Sequence, residues 1–222
     1  MSFFDAVFFD MDGLMVDSEP HWFDSEKDVT APFGYIWLEE DQIACLGGPL
    51  TRVGQYMSDK CSQVESPEFF TELLIKTQAT KMRGSLPTMP GAVELVRELQ
   101  SHGVKTALVS ASPRIIVEAV LDNLGHDLFP FSISSDDVAA TKPHPDCYRK
   151  AASMSGADIA NSLIFEDSLT GMKAAITSGA YLIAVPHLVK IEESAKVRVI
   201  SSLAQLSFAK IEQLHKDFTA TI

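Results

Sequence analysis

Asp10 and Asp12 stand two residues apart, directly after the apolar run Ala6-Val7-Phe8-Phe9. A short apolar run closed by Asp and Gly reads as a buried strand, and two carboxylates just past its end can point towards one region. At about 4 Å, in an effective dielectric of about 20, such a pair repels by about 4 kcal/mol. A bound cation, a neighbouring lysine or a shared proton has to offset that repulsion. The surroundings sharpen the problem, because residues 1–26 hold seven carboxylates (Asp5, Asp10, Asp12, Asp17, Glu19, Asp24, Glu26) and no Lys or Arg. A solvated acidic face is the ordinary reading of such a stretch. The buried run leading into Asp10 and Asp12 argues against it for these two.

Other polar residues also follow apolar runs. Ser110 and Ser112 come after Thr106–Val109, Glu166 and Asp167 after residues 162–165, and the loop after Phe131–Ser134 reaches Thr141-Lys142-Pro143. If these runs are strands of one open parallel sheet, their carboxyl ends share a rim, and such rims bind ligands. The rim would gather four carboxylates, two hydroxyls and one ammonium. Oxygen donors without His or Cys favour Mg²⁺ over zinc, and the lysine is a cationic anchor for phosphate.

The elements that must position these residues can be read from periodicity. From residue 91 onward helix and strand alternate: helix 91–102, strand 106–109, helix 115–124, strand 131–134, helix 145–155, strand 162–165, helix 169–178 and strand 181–185. Alternation of this kind means a parallel sheet covered on both faces. Two further helices are expected at 190–198 and 208–217. Residues 19–83 instead show only helical spacing, over 19–33, 38–45, 50–62 and 67–83, with Ser66-Pro67-Glu68 as a helix start. Gly84-Ser85-Leu86-Pro87 and Pro90-Gly91 form the clearest linker. The expected organisation is a sheet domain from residues 1–18 and 85–222, with an all-helical insertion over 19–84.

Composition narrows the function. The chain has 222 residues, 46% hydrophobic and 22% charged, which is material for an ordinary buried core. Its net charge of −12 disfavours nucleic acid and acidic membrane surfaces as partners. No apolar run approaches the roughly 18–20 residues that span a bilayer, and residues 1–10 lack the marks of a secretory signal. Cys45, Cys61 and Cys147 have no metal-binding spacing and read as reduced thiols of a cytoplasmic protein. Nothing in the sequence demands more than a monomer.

Taken together, Asp10-Met-Asp12-Gly13 with Asp17-Ser18, Ser110 after a strand, Lys142-Pro143-His-Pro145, and Glu166-Asp167-Ser168 with Gly171 resemble the four motifs of the haloacid dehalogenase superfamily, in the family's order. The resemblance covers residues 5–18 and about 88–190, and the helical insertion matches in length and placement. It implies an α/β fold with a Rossmann-like parallel sheet core and an inserted all-helical cap. It also implies that Asp10 attacks phosphorus and forms an aspartyl-phosphate. Asp12 would protonate the leaving alkoxide and later deprotonate water. Mg²⁺ would sit on Asp10, the Asp12 carbonyl and Asp167, with Glu166 a direct or more distant partner, while Ser110 and Lys142 hold phosphoryl oxygens. Asp17 is expected to order the first loop.

Within the superfamily, Asp12 argues against dehalogenation, since a halide leaves without a proton. No cap lysine, Lys27 included, stands out for phosphonate chemistry. Sugar phosphomutases share the core motifs but resemble this chain less in the cap. They carry His twelve residues after the nucleophile, where this chain has Trp22, and Lys before a cap glycine, where it has Leu46. The first motif through Trp22, together with Ser110-Ala111-Ser112 and residues 166–172, resembles phosphatases of sugar and sugar-alcohol phosphates. The expected function is therefore hydrolysis of small phosphate monoesters, with Ser110, Ala111, Ser112 and Lys142 at the phosphate. Trp22 would either stack on a sugar or pack in the cap core, and Arg52 is the cation the cap loop offers. A mutase, or a non-catalytic binding module on the same fold, is the alternative.

Overall fold

A computed structural model describes residues 3–186 and 191–220. Six strands form one parallel sheet: β1 (Ala6–Phe9), β2 (Lys105–Val109), β3 (Ser132–Ile133), β4 (Leu163–Glu166), β5 (Tyr181–Ala184) and β6 (Val197–Val199), in the order β3-β2-β1-β4-β5-β6. All four residues of β1 are fully buried, as expected of a parallel strand covered on both faces. Val7, Phe9 and Leu108 point into one apolar cluster with α5 (Ala92–Ser101), α6 (Arg114–Leu124) and α9 (Phe208–Ala220). Ala6, Phe8, Ala107 and Val109 point the other way, onto α7 (Asp146–Ser155) and α8 (Leu169–Ser178). The chain leaves β1 for β2 on one side and later places β4 on the other. Strand order thus reverses at β1, and the crevice beyond its carboxyl end is the ligand position of such sheets.

Between β1 and β2 lie α1 (Glu19–Thr30), α2 (Glu39–Cys45), α3 (Leu50–Lys60) and α4 (Pro67–Met82). Ser66 starts α4 by accepting from the Phe69 N–H at 3.2 Å, with Pro67 in the first turn, where its missing N–H costs nothing. These helices close around their own apolar cluster of Val29, Trp37, Cys45, Val53, Met57, Cys61, Phe70 and Leu74. Two buried carboxylates are held inside it. Glu26 accepts from the Trp37 indole at 2.8 Å, and Asp41 from Tyr35, Tyr56, the Leu38 N–H and Lys60.

The helix expected at 190–198 is corrected. Residue 190 lies outside the described residues, and 191–196 form no helix. Val197–Val199 instead adds a sixth strand, paired in parallel with β5. Val197-Arg198-Val199-Ile200 carries the β-branched alternation of an edge strand, and tertiary pairing outweighs the helical spacing before it. No helix among the described residues is long and apolar enough to cross a membrane.

Candidate active site

The sheet brings the carboxyl ends of β1, β2 and β4 together by continuing its pairing one step past the strands. The Asp10 N–H donates to Phe165 O at 3.1 Å and the Ser110 N–H to Ile133 O at 2.9 Å. Asp10 therefore emerges beside Glu166 and Asp167, and each of these three acids offers an oxygen within 4.8 Å of the others. Lys142 is inserted among them, its side chain only 3% exposed. Its ammonium donates to Asp10 Oδ1, to Glu166 Oε1 at 2.6 Å and to Val109 O at 2.9 Å. All three ammonium protons are engaged, so Lys142 acts first as an internal anchor that fixes Asp10.

Charge is not balanced at this cluster, where three carboxylates face one ammonium. Burial, and next the Glu166 charge, push the Asp10 carboxyl up to about 7 against the pull of Lys142. Asp167 is likewise driven well above the carboxylate range, by burial first and then by Asp10 and Glu166. Burial alone would lower Lys142, but Asp10 and Glu166 raise it above the ordinary lysine value. The donor set suits a hard divalent cation. Glu166 has both oxygens occupied: Oε1 takes Lys142 and the Tyr148 hydroxyl (2.5 Å), and Oε2 takes the Asp167 N–H and the Ser168 hydroxyl. Asp167 Oδ1, in contrast, is buried with no hydrogen-bond partner, an oxygen that a cation would satisfy.

Two glycines make this packing possible. Gly13 has φ of +74°, and a Cβ there would stand 2.2 Å from Asp167 Oδ2. At Gly171 a Cβ would fall 1.8 Å from Glu166 Oε1. Glycine in the first and fourth motifs is thus the condition for Asp167 and Glu166 to reach their places.

The remaining candidates separate into those at the site and those engaged elsewhere. Asp12 is half-buried on the same loop as Asp10 and accepts at both oxygens, from the Ser112 hydroxyl at 3.0 Å and the Trp22 indole at 3.2 Å. Ser110 is buried, its Oγ accepting from the Ser112 N–H at 2.9 Å, which leaves its hydroxyl proton free to donate. Ala111 is exposed at the top of that loop. Asp17 is exposed, with its N–H on Pro87 O, a loop role. Arg52 is spent: its guanidinium donates to Ala44 O and Cys45 O, carbonyls at the end of α2. Two residues at the rim went unforeseen. Tyr148 is fully buried and orients Glu166. A tyrosine on the apolar face of a helix just after the Lys142 loop was the available signal, since its hydroxyl must find a partner. Thr170 donates to Gly47 O at 2.7 Å and ties the loop after α2 to the start of α8; it lies in the 166–172 stretch of the resemblance, but nothing there pointed to this contact.

The model of haloacid dehalogenase-like hydrolases matches residues 7–185, from β1 through the end of β5. The chain belongs to the haloacid dehalogenase-like hydrolase family. Among curated members it is similar to the bifunctional riboflavin kinase/FMN phosphatase of Arabidopsis thaliana, at 29% identity over 212 residues, covering 92% of this chain and 55% of that protein. The chain thus spans about half the length of that relative. It is also similar to hexitol phosphatase B of Escherichia coli K12, at 31% identity over 184 residues, 82% of this chain and 83% of that one. Among solved members, a haloacid dehalogenase family hydrolase from Deinococcus radiodurans, crystallised with bound phosphate and sodium, shares 29% identity and superposes with a TM-score of 0.71. That match covers 96% of this chain and 97% of its own.

Proposed function

We propose that the chain is a Mg²⁺-assisted phosphatase of small phosphate monoesters, sugar and sugar-alcohol phosphates foremost, working through a phosphoryl group carried on Asp10. The observation that carries this is the Asp10 carboxylate, fixed at Oδ1 by a lysine that is itself buried, beside the unpartnered Asp167 oxygen. Family membership and the likeness to hexitol phosphatase B support the ester class and the sugar-alcohol preference.

Asp10, Asp167 and, behind them, Glu166 would hold the cation, which when bound would offset the excess negative charge and draw density from phosphoryl oxygens. With Oδ1 on Lys142, Asp10 has Oδ2 for attack on phosphorus. The P–O ester bond breaks as the Asp10–phosphorus bond forms, and Asp12 gives a proton to the departing alkoxide. Ser110 donates to a phosphoryl oxygen through its free hydroxyl proton. In the second half Asp12 takes a proton from water, the water oxygen attacks phosphorus, and inorganic phosphate leaves Asp10 as a free carboxylate. The helical segment over residues 19–84 serves as a cap on the rim, touching it through Trp22 and Gly47. The three cysteines are free and buried, which fits a reducing compartment such as the cytoplasm.

Acid quenching during turnover, followed by peptide mapping, tests this directly. A phosphoryl group on the peptide containing Asp10, absent in Asp10→Asn, is the expected result. Turnover of an ester with no labelled peptide in a rapid-quench series would reject Asp10 as the nucleophile.

A further inference from the structure

We propose that Trp22 is a positioning residue for Asp12, so that the carboxyl exchanging the ester's proton is aimed jointly by the cap and the core. The inference deepens the phosphatase reading above and rests on it.

Asp12 is held at both ends. The Trp22 Nε1–H donates to Oδ1 at 3.2 Å and the Ser112 hydroxyl to Oδ2 at 3.0 Å. One donor stands on α1 of the cap, the other on the loop after β2 of the core. An indole N–H only donates, so it can hold Oδ1 only as an acceptor, and the two contacts together set the rotation of the carboxyl plane. Without them a half-buried aspartate samples the broad torsion typical of a carboxyl group.

The ring of Trp22 is itself fixed from two sides. It packs against the core cluster that includes Phe9, Leu14 and Met15, and against the cap cluster that includes Val29 and Trp37. Its position therefore reports where α1 lies relative to the sheet. A second contact, Thr170 hydroxyl to Gly47 O at 2.7 Å, ties another part of the cap to the core near Asp167. With the cap seated as it is here, Asp12 has both donors. Were α1 to lift, Oδ1 would lose its donor while Ser112 kept Oδ2. Proton transfer to the leaving group is thus completed by the same helix that covers the substrate, and a substrate bound under an unseated cap meets a poorly aimed acid. Sugar stacking, the other role open to an aromatic residue here, needs the ring face but not the N–H.

Phenylalanine separates these roles, because it keeps the ring and the packing but removes the donor. The experiment measures kcat and KM for wild type, Trp22→Phe and Ser112→Ala on sorbitol 6-phosphate, whose alkoxide needs a proton, and on 4-nitrophenyl phosphate, whose phenolate hardly does. Thermal melts accompany each variant. Loss of one hydrogen bond that aims the carboxyl is worth about tenfold, so in both variants kcat on sorbitol phosphate is expected to fall about tenfold further than on the aryl ester. A sorbitol-to-aryl ratio that stays at the wild-type value in Trp22→Phe overturns the proposal, whatever the absolute losses and whatever Ser112→Ala does. A Trp22→Phe effect confined to KM on sorbitol phosphate also overturns it, in favour of a sugar contact. If Trp22→Phe does not fold, the ratio in Trp22→Leu, which also lacks the donor, decides in its place. A wild type inert on every phosphate ester overturns the phosphatase reading and this inference with it. An active wild type with unchanged ratios overturns this inference only.

Discussion

Lys142 shows how a single side chain organises the centre. Its ammonium is the one positive charge among Asp10, Glu166 and Asp167, and it also satisfies the Val109 carbonyl. Replacing it with methionine keeps much of the volume but leaves buried carboxylates with no counter-charge. Breaking a buried pair in this way costs about 3–5 kcal/mol. Lys142→Met is therefore expected to unfold at markedly lower urea, to recover part of the loss with added Mg²⁺, and to be essentially inactive. Equal stability of variant and wild type in chelator would show that the pair contributes nothing. Gly13 presents the steric side of the same centre. Gly13→Ala places a methyl group onto Asp167 Oδ2 and a side chain at φ of +74°. The backbone strain alone costs about 1–3 kcal/mol, and displacement of Asp167 is expected to weaken Mg²⁺ binding at least tenfold by titration calorimetry. Unchanged Mg²⁺ affinity would mean that Asp167 is not a ligand.

At the level of elements, the cluster formed by α1 to α4 holds two buried acids in opposite electrostatic states. Asp41 would be raised by burial, yet the Leu38 N–H, Lys60, Tyr56 and Tyr35 outweigh that and hold it down at about 2. Glu26 has one strong donor, Trp37, and burial pushes its carboxyl up to about 7, with Glu19 and Asp41 adding to the rise. A carboxyl raised above its unfolded value of 4.5 binds its proton more tightly in the folded cap. The associated stability is complete below pH 4.5 and is lost as the pH climbs through 7. Glu26→Gln retains an acceptor for the Trp37 indole without the charge. It is expected to gain up to about 3 kcal/mol relative to wild type at pH 8 and little at pH 4.5. Parallel stability curves for the two proteins between those pH values would contradict the assignment. Most of these elements were legible in the sequence, because the apolar spacing of the helices follows a period of 3.6 and β1 is a continuous apolar run of the kind a strand covered on both faces requires. The edge strand β6 was not. It is three residues long, and the helical spacing of the residues before it masked a short β-branched alternation that pairing with β5 turns into a strand. Asp10, Asp12, Lys142 and Asp167 could be placed on one rim because strand ends converge in a parallel sheet. The partners of Asp12 could not, since Trp22 and Ser112 meet it from 10 and 100 residues away. Arg52 shows the reverse limit, a lone cation in the cap loop whose donors go to local carbonyls that no sequence pattern reveals.

Across the whole molecule, a net charge of −12 is concentrated in part at the rim, where negative groups outnumber positive ones. The fold places Asp10, Glu166 and Asp167 close together because the sheet pairing demands it, and a cation that bound only the folded chain would relieve the cost. By mass action, Mg²⁺ at a hundred times its dissociation constant should add about 2.7 kcal/mol of stability. That gain is expected to shrink sharply in Asp167→Asn, as read by melting with and without chelator. Residues 19–84 reach the same rim through Trp22 and Gly47, so on the proposed reading cation, cap and nucleophile would form one assembly. The central claim is tested most directly by phosphate release from a panel of hexose and hexitol phosphates, with Mg²⁺ and with chelator, including β-glucose 1-phosphate with a trace of bisphosphate. The expected result is Mg²⁺-dependent release from hexitol or hexose 6-phosphates and none in chelator. Conversion of glucose 1-phosphate to glucose 6-phosphate with little free phosphate, or release that ignores the metal, would contradict it.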